Sequence, residues 1–300
     1  MENKKAYNRA LKHVVCCIII LLLFVIANMK VNALSMDSNM HINYEIQPLI
    51  KEKIMQLNPN NIFKVKNYRY DKPRVLENNI HVFIEKNKNT LMFFSKMFGF
   101  DYEFIKEDLI KRNSNEILPE NNIAGLKNNK KELIVFPNIE YGISEYFIEL
   151  SKNYPEKRNN TTISYNVESD YIEKLIIYYT NIYEEVDTTL ALSIGAAESG
   201  YYKVKYMLQK NNVYGGMEKN GLIVYENIEI GVLKYIRLLS NNYFKQGLTN
   251  KESIGRKYCP QVNSDGTKVA SSHWINLVSK AEKKYRDYTN NITINDLIEH

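Results

Sequence analysis

Residues 211–231 are NNVYGGMEKNGLIVYENIEIG, and residues 121–142 are NNIAGLKNNKKELIVFPNIEYG. Both stretches begin with an Asn-Asn pair and end with Asn-Ile-Glu-x-Gly. Aligning residues 133–151 with residues 222–240 gives ten identical residues in nineteen positions. A match of this extent predicts that the chain contains two copies of one structural unit, copy one and copy two.

Each copy is predicted to be a hairpin followed by a helix. After residues 138 and 227, apolar side chains recur at three- and four-residue steps, which is typical of an amphipathic helix. In copy two, strands are expected at residues 213–217 and 222–225, because the intervening Asn220-Gly221 favours a tight turn.

Further helical patterns precede each hairpin, at residues 91–98 and 104–110 in copy one and at residues 172–183 and 188–197 in copy two. The predicted fold is therefore mainly α, internally duplicated, with short β-hairpins. The predicted divisions are a lead-in at residues 34–75, a first repeat at 76–151, a linker at 152–168, a second repeat at 169–288 and a C-terminal tail at 289–300.

The N-terminus has the layout of a secretory signal peptide. Basic residues between positions 4 and 12 precede an uncharged apolar run at residues 14–27, and a small-residue cleavage pattern ends at Ala33. The run is shorter than the roughly 20 apolar residues that span a bilayer. Residues 1–33 are therefore predicted to be a signal peptide, with an uncleaved N-terminal membrane anchor as the alternative.

Charge and cysteine content narrow the function classes. Residues 1–33 carry five basic residues and one acidic residue, so their removal lowers the formal charge from +6 by 4 to +2. A nearly balanced chain argues against nucleic-acid binding. Cys259 is the only cysteine beyond the apolar run, so no internal disulfide is expected. No cysteines or histidines have the spacing of a zinc site, and neither a metal nor another cofactor is predicted.

Residues 187–200, DTTLALSIGAAESG, predict an apolar helix that ends at a carboxylate. Asp187 or Thr188 can cap its start, and Gly200 can end it. Glu198 then lies where apolar neighbours and the negative end of the helix dipole both raise the pKa of a carboxyl. A carboxylic acid that stays protonated near neutral pH can protonate a glycosidic oxygen. The alternative is a solvated glutamate or one paired with a nearby lysine.

Several features of copy two occur together in one known family. They are Ala-Ala-Glu-Ser-Gly at residues 196–200, Asn-Asn-Val-Tyr-Gly at residues 211–215, Tyr225, Tyr235, Tyr258-Cys259-Pro260 and Trp274. Over residues 170–287 the chain resembles the glucosaminidase family, which is family 73 of the glycoside hydrolases in the lysozyme-like superfamily. The resemblance implies a lysozyme-like α fold, hydrolysis of the β-1,4 bond after N-acetylglucosamine in peptidoglycan, and Glu198 as the general acid.

The resemblance also implies a role for Tyr258, which falls where the family has a tyrosine close to the reacting sugar. This tyrosine would orient the N-acetyl group or stabilise positive charge, and the alternative is a half-buried tyrosine at a helix end. The second carboxylate is open, because the hairpin here is shorter than in clearer family members. Glu218 and Glu226 are the candidates, and Glu229 is less favoured because its counterpart Glu140 is retained in copy one.

The mechanism depends on where the second carboxylate lies. Inverting and retaining glycosidases need carboxyl separations of roughly 6.5–9.5 Å and 5–5.5 Å, whereas assistance by the substrate's N-acetyl group needs neither. The sequence favours none of these three.

Tyrosines around the predicted cleft are candidates for sugar binding, because sugar C–H faces stack on aromatic rings. Tyr201, Tyr214 and Tyr225 are predicted to bind substrate together with Asn212. Trp274, the only tryptophan, is predicted instead to pack on the core in a closing helix.

Copy one is predicted to be a degenerate lysozyme-like repeat. Glu107 or Asp108 has the right interval to the Asn-Asn pair, but the surrounding segment is charged and lacks small residues and a terminal glycine. Phe136 also replaces Tyr225. The repeat would pack against the catalytic copy or extend its glycan groove.

Two alternative functions stay open. A muramidase or lytic transglycosylase of the same superfamily also uses a helix-terminal Glu-Ser, and a noncatalytic wall-binding protein would keep the fold without the chemistry. The expected partners are peptidoglycan glycan strands and no nucleic acid, with membrane contact only through an uncleaved residue 1–33 segment. The expected location is secreted or cell-wall associated.

Overall fold

The computed structural model describes residues 80–113, 121–159 and 167–291, with side chains up to residue 286. The predicted signal segment and lead-in, and residues 292–300 of the predicted tail, lie outside the described residues.

Helices account for 61% of the interpretable residues and strands for 6%, which confirms the mainly α prediction. The helices are α1 (Ile80–Lys86), α2 (Lys88–Phe98), α3 (Tyr102–Arg112), α4 (Ile139–Asn153), α5 (Ser169–Ile182), α6 (Thr188–Ser199), α7 (Lys205–Leu208), α8 (Ile228–Asn242), α9 (Lys251–Tyr258) and α10 (Ser272–Asn291). Two antiparallel hairpins are formed by β1 (Met217–Glu218) with β2 (Gly221–Leu222) and by β3 (Pro260–Val262) with β4 (Lys268–Ala270).

Two predicted boundaries fall inside helices. α4 continues to Asn153, beyond the expected linker start at residue 152. It ends there because Pro155 disfavours helical backbone at the preceding residue, Tyr154. α10 continues to Asn291, past the expected tail start at residue 289, because residues 272–291 contain neither glycine nor proline.

Asparagine side chains start the long helix of each half. Asn138 accepts a hydrogen bond from the N–H of Tyr141 at the start of α4, and Asn227 accepts one from the N–H of Ile230 at the start of α8, each at 2.8 Å. Each carboxamide oxygen satisfies an N–H of the first turn that has no partner within its helix. The predicted helices after residues 138 and 227 are thereby confirmed.

The predicted hairpin of copy two is smaller than expected, because β1 and β2 contain two residues each. Residues 213–216 instead form a loop around Asn212, and we call residues 211–216 the asparagine loop. The Nδ2 of Asn212 donates to the carbonyls of Gly216 at 2.9 Å and Ile223 at 3.0 Å. Beyond β1 and β2, the N–H of Ile223 donates to the carbonyl of Gly216 at 3.0 Å, and the Asn212 side chain supplies the other bonds between the two segments.

The first half makes the same kind of contact. Asn122 donates from Nδ2 to the carbonyls of Leu126 and Ile134, each at 2.8 Å. Its predicted hairpin is reduced to one antiparallel bridge between Lys127 and Leu133.

A glycine in each long helix lies directly against the backbone of an asparagine. A Cβ on Gly142 would be 1.7 Å from the carbonyl oxygen of Asn121, and a Cβ on Gly231 would be 1.9 Å from that of Asn211. Only glycine permits so close an approach of two backbone segments. This contact explains why each Asn-Asn pair is accompanied by a glycine in the helix that follows.

The two halves share one hydrophobic core. Phe93 of α2 meets Tyr178 of α5 edge to face, with ring centroids 5.8 Å apart. The hydroxyl of Tyr179 donates to the Sδ of Met97 at 3.0 Å. The stretches predicted as separate repeats are therefore packed together.

The elements after α8 complete the second half. α10 packs along α6, and β4 packs against α9. This arrangement brings side chains of α9 and α10 to the C-terminal end of α6. None of the helices in the described ranges combines the length and apolar character needed to span a bilayer.

Candidate active site

Glu198 lies in the last turn of α6. Asp187 caps the helix by accepting from the N–H of Leu190 at 2.7 Å, and Gly200 ends it in the left-handed conformation at φ 58°, so the predicted cap and stop are confirmed. Residues 190–196 are buried, whereas Glu198 is half-buried. The helix therefore carries a carboxyl from the apolar core to the edge of the surface.

The two oxygens of the carboxyl have different surroundings. Oε1 accepts a hydrogen bond from the indole Nε1 of Trp274 at 2.7 Å. Oε2 faces the asparagine loop, 3.6 Å from the position that a Cβ on Gly215 would take. One oxygen is thus held by the closing helix, and the other lies beside a residue without a side chain.

Burial raises the pKa of the Glu198 carboxyl above its ordinary value. Desolvation disfavours the charged carboxylate and so raises the pKa. The hydrogen bond from Trp274 has the smaller, opposite effect, because it stabilises the carboxylate. Within the described ranges no basic side chain contributes to this pKa, and the nearby Lys203 and Lys205 are exposed. The proposed lysine pair is therefore not formed.

Four weakly acidic groups face Glu198. Burial, together with the charge of Glu198, raises the pKa of Tyr235, Tyr243, Tyr258 and Cys259. They are neutral where an ordinary carboxyl titrates. The carboxyl is thus surrounded by aromatic rings and uncharged polar groups.

Tyr258, the second predicted catalytic residue, lies at the end of α9 and is one of these groups. Its hydroxyl donates to the carbonyl of Tyr214 at 2.9 Å, and its ring lies 5.6 Å from that of Trp274 and 6.0 Å from that of Tyr243. The structure therefore brings Glu198 and Tyr258 together, with Tyr258 also holding the asparagine loop in place.

The prediction that Asn212 contacts substrate is wrong. The residue is 0% exposed, and its carboxamide is used within the chain. Its Nδ2 donates to two carbonyls, and its Oδ1 accepts from the N–H of Gly216 at 3.1 Å. Asn212 shapes the loop that faces Glu198.

Tyr214 and Tyr225 are only 6% and 8% exposed. Their hydroxyls hydrogen-bond to each other, and the ring of Tyr214 stacks on that of Tyr235 with centroids 5.2 Å apart. Tyr214 thus packs the asparagine loop against Tyr225 and Tyr235. Tyr201 is half-buried, and the Nζ of Lys284 lies 5.0 Å from its ring centroid, which places it against α10.

The two candidates for the second carboxylate are both exposed. Glu226 forms an ion pair with Arg158 at 2.8 Å, whereas Glu218 on β1 has no ion pair in the described part of the chain. Burial and the bond to Tyr214 are the main causes of the raised pKa of Tyr225, and both glutamates add to it. Neither glutamate contributes to the pKa of Glu198.

Glu229, the less favoured candidate, lies in the first turn of α8 and is 2% exposed. It accepts a hydrogen bond from the hydroxyl of Tyr171 at 2.7 Å. Its hydrogen-bond partner is thus a half-buried tyrosine.

The first half has a carboxylate at the position predicted to correspond to Glu198, but an arginine covers it. Asp108 accepts from the Nε of Arg112 at 2.6 Å and from the hydroxyl of Tyr146 at 2.9 Å. The Arg112 guanidinium also lies 5.6 Å from the Tyr146 ring centroid. Glu107, the other candidate, is exposed. Arg112 therefore pairs with the carboxylate of Asp108, whereas Glu198 has no basic partner in the described ranges.

Trp274 and Gly215 are site residues that the sequence interpretation missed. Trp274 does pack on the core, being 5% exposed, but its indole also reaches Glu198. A buried tryptophan usually bonds its N–H to a partner, and this was the available signal. Gly215 has φ 70°, as expected for a glycine in a tight turn. Nothing in the sequence around it indicates that it lies beside Glu198.

Within the described residues, no three His, Cys, Asp or Glu side chains are grouped closely enough to hold a metal ion. No protein-family model matches the chain, and no curated protein or solved structure matches it either.

Proposed function

We propose that this chain is a peptidoglycan hydrolase of the glucosaminidase type, which cleaves the β-1,4 bond after N-acetylglucosamine with Glu198 as general acid. The observation that carries the proposal is the setting of Glu198. Its carboxyl is half-buried, has a pKa raised by burial, accepts an indole hydrogen bond and has no basic partner within the described ranges. Such a carboxyl can keep a proton near neutral pH and release it to a leaving oxygen.

In the proposed reaction, Glu198 donates its proton to the glycosidic oxygen as the bond from that oxygen to C1 breaks. The leaving sugar keeps the bonding electron pair and the new proton. Positive charge develops on C1 and the ring oxygen, and the aromatic faces near Glu198 can stabilise it. Water then adds to C1 and releases a proton to the solvent, which leaves a neutral product, and Glu198 regains a proton from the solvent.

We also propose that the second half has a lysozyme-like fold and that the two halves are copies of one unit. The support is the recurrence of specific contacts and not only of sequence. Each half has an asparagine that bonds two loop carbonyls, an asparagine that caps the long helix, and a helix glycine packed on a backbone carbonyl.

Catalysis is assigned to the second half alone. The carboxylate of Asp108 is covered by Arg112, whereas Glu198 faces Gly215 and no arginine. The first half then serves as packed scaffold for the second.

The proposed site of action is outside the cytoplasm, on the glycan strands of the cell wall. The predicted signal peptide or anchor at residues 1–33 would bring the protein there. A formal charge of +2 for the remaining chain (+6 less 4) is compatible with weak attraction to an anionic wall.

Zymography on purified peptidoglycan tests the proposal. Wild type should clear the substrate, and Glu198→Gln should lower turnover by about 10²- to 10⁴-fold, the range for loss of a general acid. Glu107→Gln is the matched control, because this glutamate is exposed in the first half. Equal losses in the two variants would contradict a single active site.

Mass spectrometry of the products separates the alternatives. Reducing-end N-acetylglucosamine supports the glucosaminidase assignment. Reducing-end N-acetylmuramic acid would indicate a muramidase, and 1,6-anhydromuramic acid a lytic transglycosylase. Normal peptidoglycan binding by Glu198→Gln, with no lysis by wild type, would indicate a noncatalytic wall-binding protein.

A further inference from the structure

Trp274 and Glu198 form a one-directional hydrogen bond. The indole Nε1 donates to Oε1 of Glu198 at 2.7 Å. An indole N–H can donate but has no lone pair with which to accept. The carboxyl oxygen facing Trp274 must therefore act as the acceptor in every protonation state.

This direction determines where a neutral Glu198 carries its proton. A protonated carboxyl has one hydroxyl oxygen and one carbonyl oxygen. Because Oε1 is occupied as an acceptor, the hydroxyl is favoured at Oε2. Oε2 is the oxygen that faces Gly215, where a Cβ would lie 3.6 Å from Oε2 and 3.8 Å from the Cε of Met207, and glycine places no side chain there.

We propose that Trp274 is a positioning residue, which holds the transferable proton of Glu198 on Oε2 and directs it into the space beside Gly215. This inference rests on the proposed function of Glu198 as a general acid. The substrate's glycosidic oxygen would then approach between the asparagine loop and Trp274.

The same bond favours the transition state over the ground state. As the proton leaves Oε2, negative charge spreads onto Oε1, and a hydrogen bond to a charged acceptor is stronger than one to a neutral acceptor. Trp274 therefore stabilises the carboxylate that is being formed, which lowers the barrier to proton transfer.

The indole of Trp274 packs closely against α9. A Cβ on Gly255 would lie 2.9 Å from Cζ3 of Trp274, so the ring packs directly on the backbone of that helix. The ring of Tyr258 lies 5.6 Å away. Trp274 itself is 5% exposed, which limits alternative orientations of its N–H.

The other titratable groups that face Glu198 do not compete for this role. Tyr235 donates its hydroxyl to the carbonyl of Ala191 at 2.7 Å, and Tyr258 donates to that of Tyr214 at 2.9 Å. The remaining two are Tyr243 and Cys259, whose raised pKa values keep them neutral while Glu198 titrates.

Because the chain has a single tryptophan, the bond can be observed without substrate. We expect the one indole N–H resonance to shift with pH together with the carboxyl carbon of Glu198, with a midpoint above the ordinary glutamate pKa. The shift should be absent in Glu198→Gln. It should persist in His273→Gln, which removes the exposed imidazole adjacent in sequence to Trp274.

Replacing tryptophan throughout the protein with β-(benzothienyl)alanine alters only this position, and it exchanges the N–H for sulfur at nearly the same shape. Loss of the donor should raise the pKa of Glu198 further, because its charged form loses a hydrogen bond. The upper limb of the pH profile of kcat/KM should move to higher pH, and kcat should fall about tenfold.

The inference would be overturned if the indole resonance did not shift as Glu198 ionises. It would also be overturned if the protein containing the tryptophan analogue kept the wild-type Glu198 pKa and the wild-type kcat. If wild type shows the expected resonances but does not cleave peptidoglycan, the proposed function fails while the placement of the proton stands. The two failures are thus distinguishable.

Discussion

The Nδ2 of Asn227 donates to the carbonyl oxygen of Met97 at 2.8 Å, joining residues 130 positions apart. Asn138, its counterpart in the first half, donates to the carbonyl of Ile182 at 2.9 Å. Met97 belongs to α2 and Ile182 ends α5, so each helix cap bonds a helix of the other half. A reciprocal pair of hydrogen bonds therefore links the two halves, and the one from Asn227 is buried.

Replacing Asn227 by serine should weaken this interface. Serine retains a cap oxygen but cannot reach Met97, so we expect a loss of about 1–2 kcal/mol in the free energy of unfolding, measured by urea denaturation. Asn250→Ser is the control, because Asn250 caps α9 through contacts within that helix start. Equal losses in both variants would show that the contact with Met97 contributes nothing.

Alanine at Gly231 or Gly142 should destabilise the protein, although alanine favours an isolated helix by about 1 kcal/mol. The new Cβ would lie 1.9 Å or 1.7 Å from a carbonyl oxygen, so the helix must move away. We expect losses of about 3 kcal/mol or more in thermal or urea unfolding. Asn276→Ala, at an exposed site in α10, should have little effect. A stabilised Gly231→Ala would contradict the close packing.

Gly215→Ala should impair catalysis more than folding. Gly215 and Gly247 have similar φ values of 70° and 78°, so alanine should cost a similar amount of stability at both, about 1–2 kcal/mol. Only at Gly215 does the added methyl group face Oε2 of Glu198, whereas Gly247 has open space around it. We expect kcat/KM to fall about tenfold or more in Gly215→Ala alone. Similar kinetics in both variants would argue against this approach for the substrate.

Glu198→Gln should make the protein more stable at neutral pH. Burial raises the pKa of Glu198 in the folded state above its unfolded value, so ionisation favours unfolding. Stability is therefore lost as the pH rises from the unfolded pKa through the folded pKa, by about 1.4 kcal/mol for each unit between them. The variant should gain that amount above this window and match wild type below it, as measured by urea unfolding across pH. A difference that persists at low pH would require another cause.

Glutamine substitutions at Glu218 and at Glu226 test which of the two acts as the second carboxylate. Glu226 is paired with Arg158, so Glu226→Gln should cost at most about 1 kcal/mol of stability and leave turnover nearly unchanged. Glu218→Gln should lower kcat if Glu218 activates water or stabilises charge. Unchanged kcat in both variants would instead favour assistance by the N-acetyl group of the substrate.

Local features of the sequence were sufficient to predict where these helices begin and end. The capping by Asp187, the stop at Gly200 and the helix starts after Asn138 and Asn227 depend on residues within one turn of one another. Capping and periodicity act over such short distances, so they are visible in the chain itself. The observed hairpin is shorter than the predicted one, because residues 213–216 fold around the side chain of Asn212, which bonds the carbonyls of Gly216 and Ile223.

By itself, the sequence determined a mainly α chain and a carboxylate at the end of an apolar helix. Only the tertiary structure decided what surrounds that carboxylate, because Trp274 is 76 residues from Glu198 and reaches it only when α10 packs along α6. Packing also buried Asn212 and brought the hydroxyl of Tyr146 to Asp108. Helix signals are local, whereas the pKa and hydrogen bonds of a side chain depend on neighbours that only the folded chain supplies.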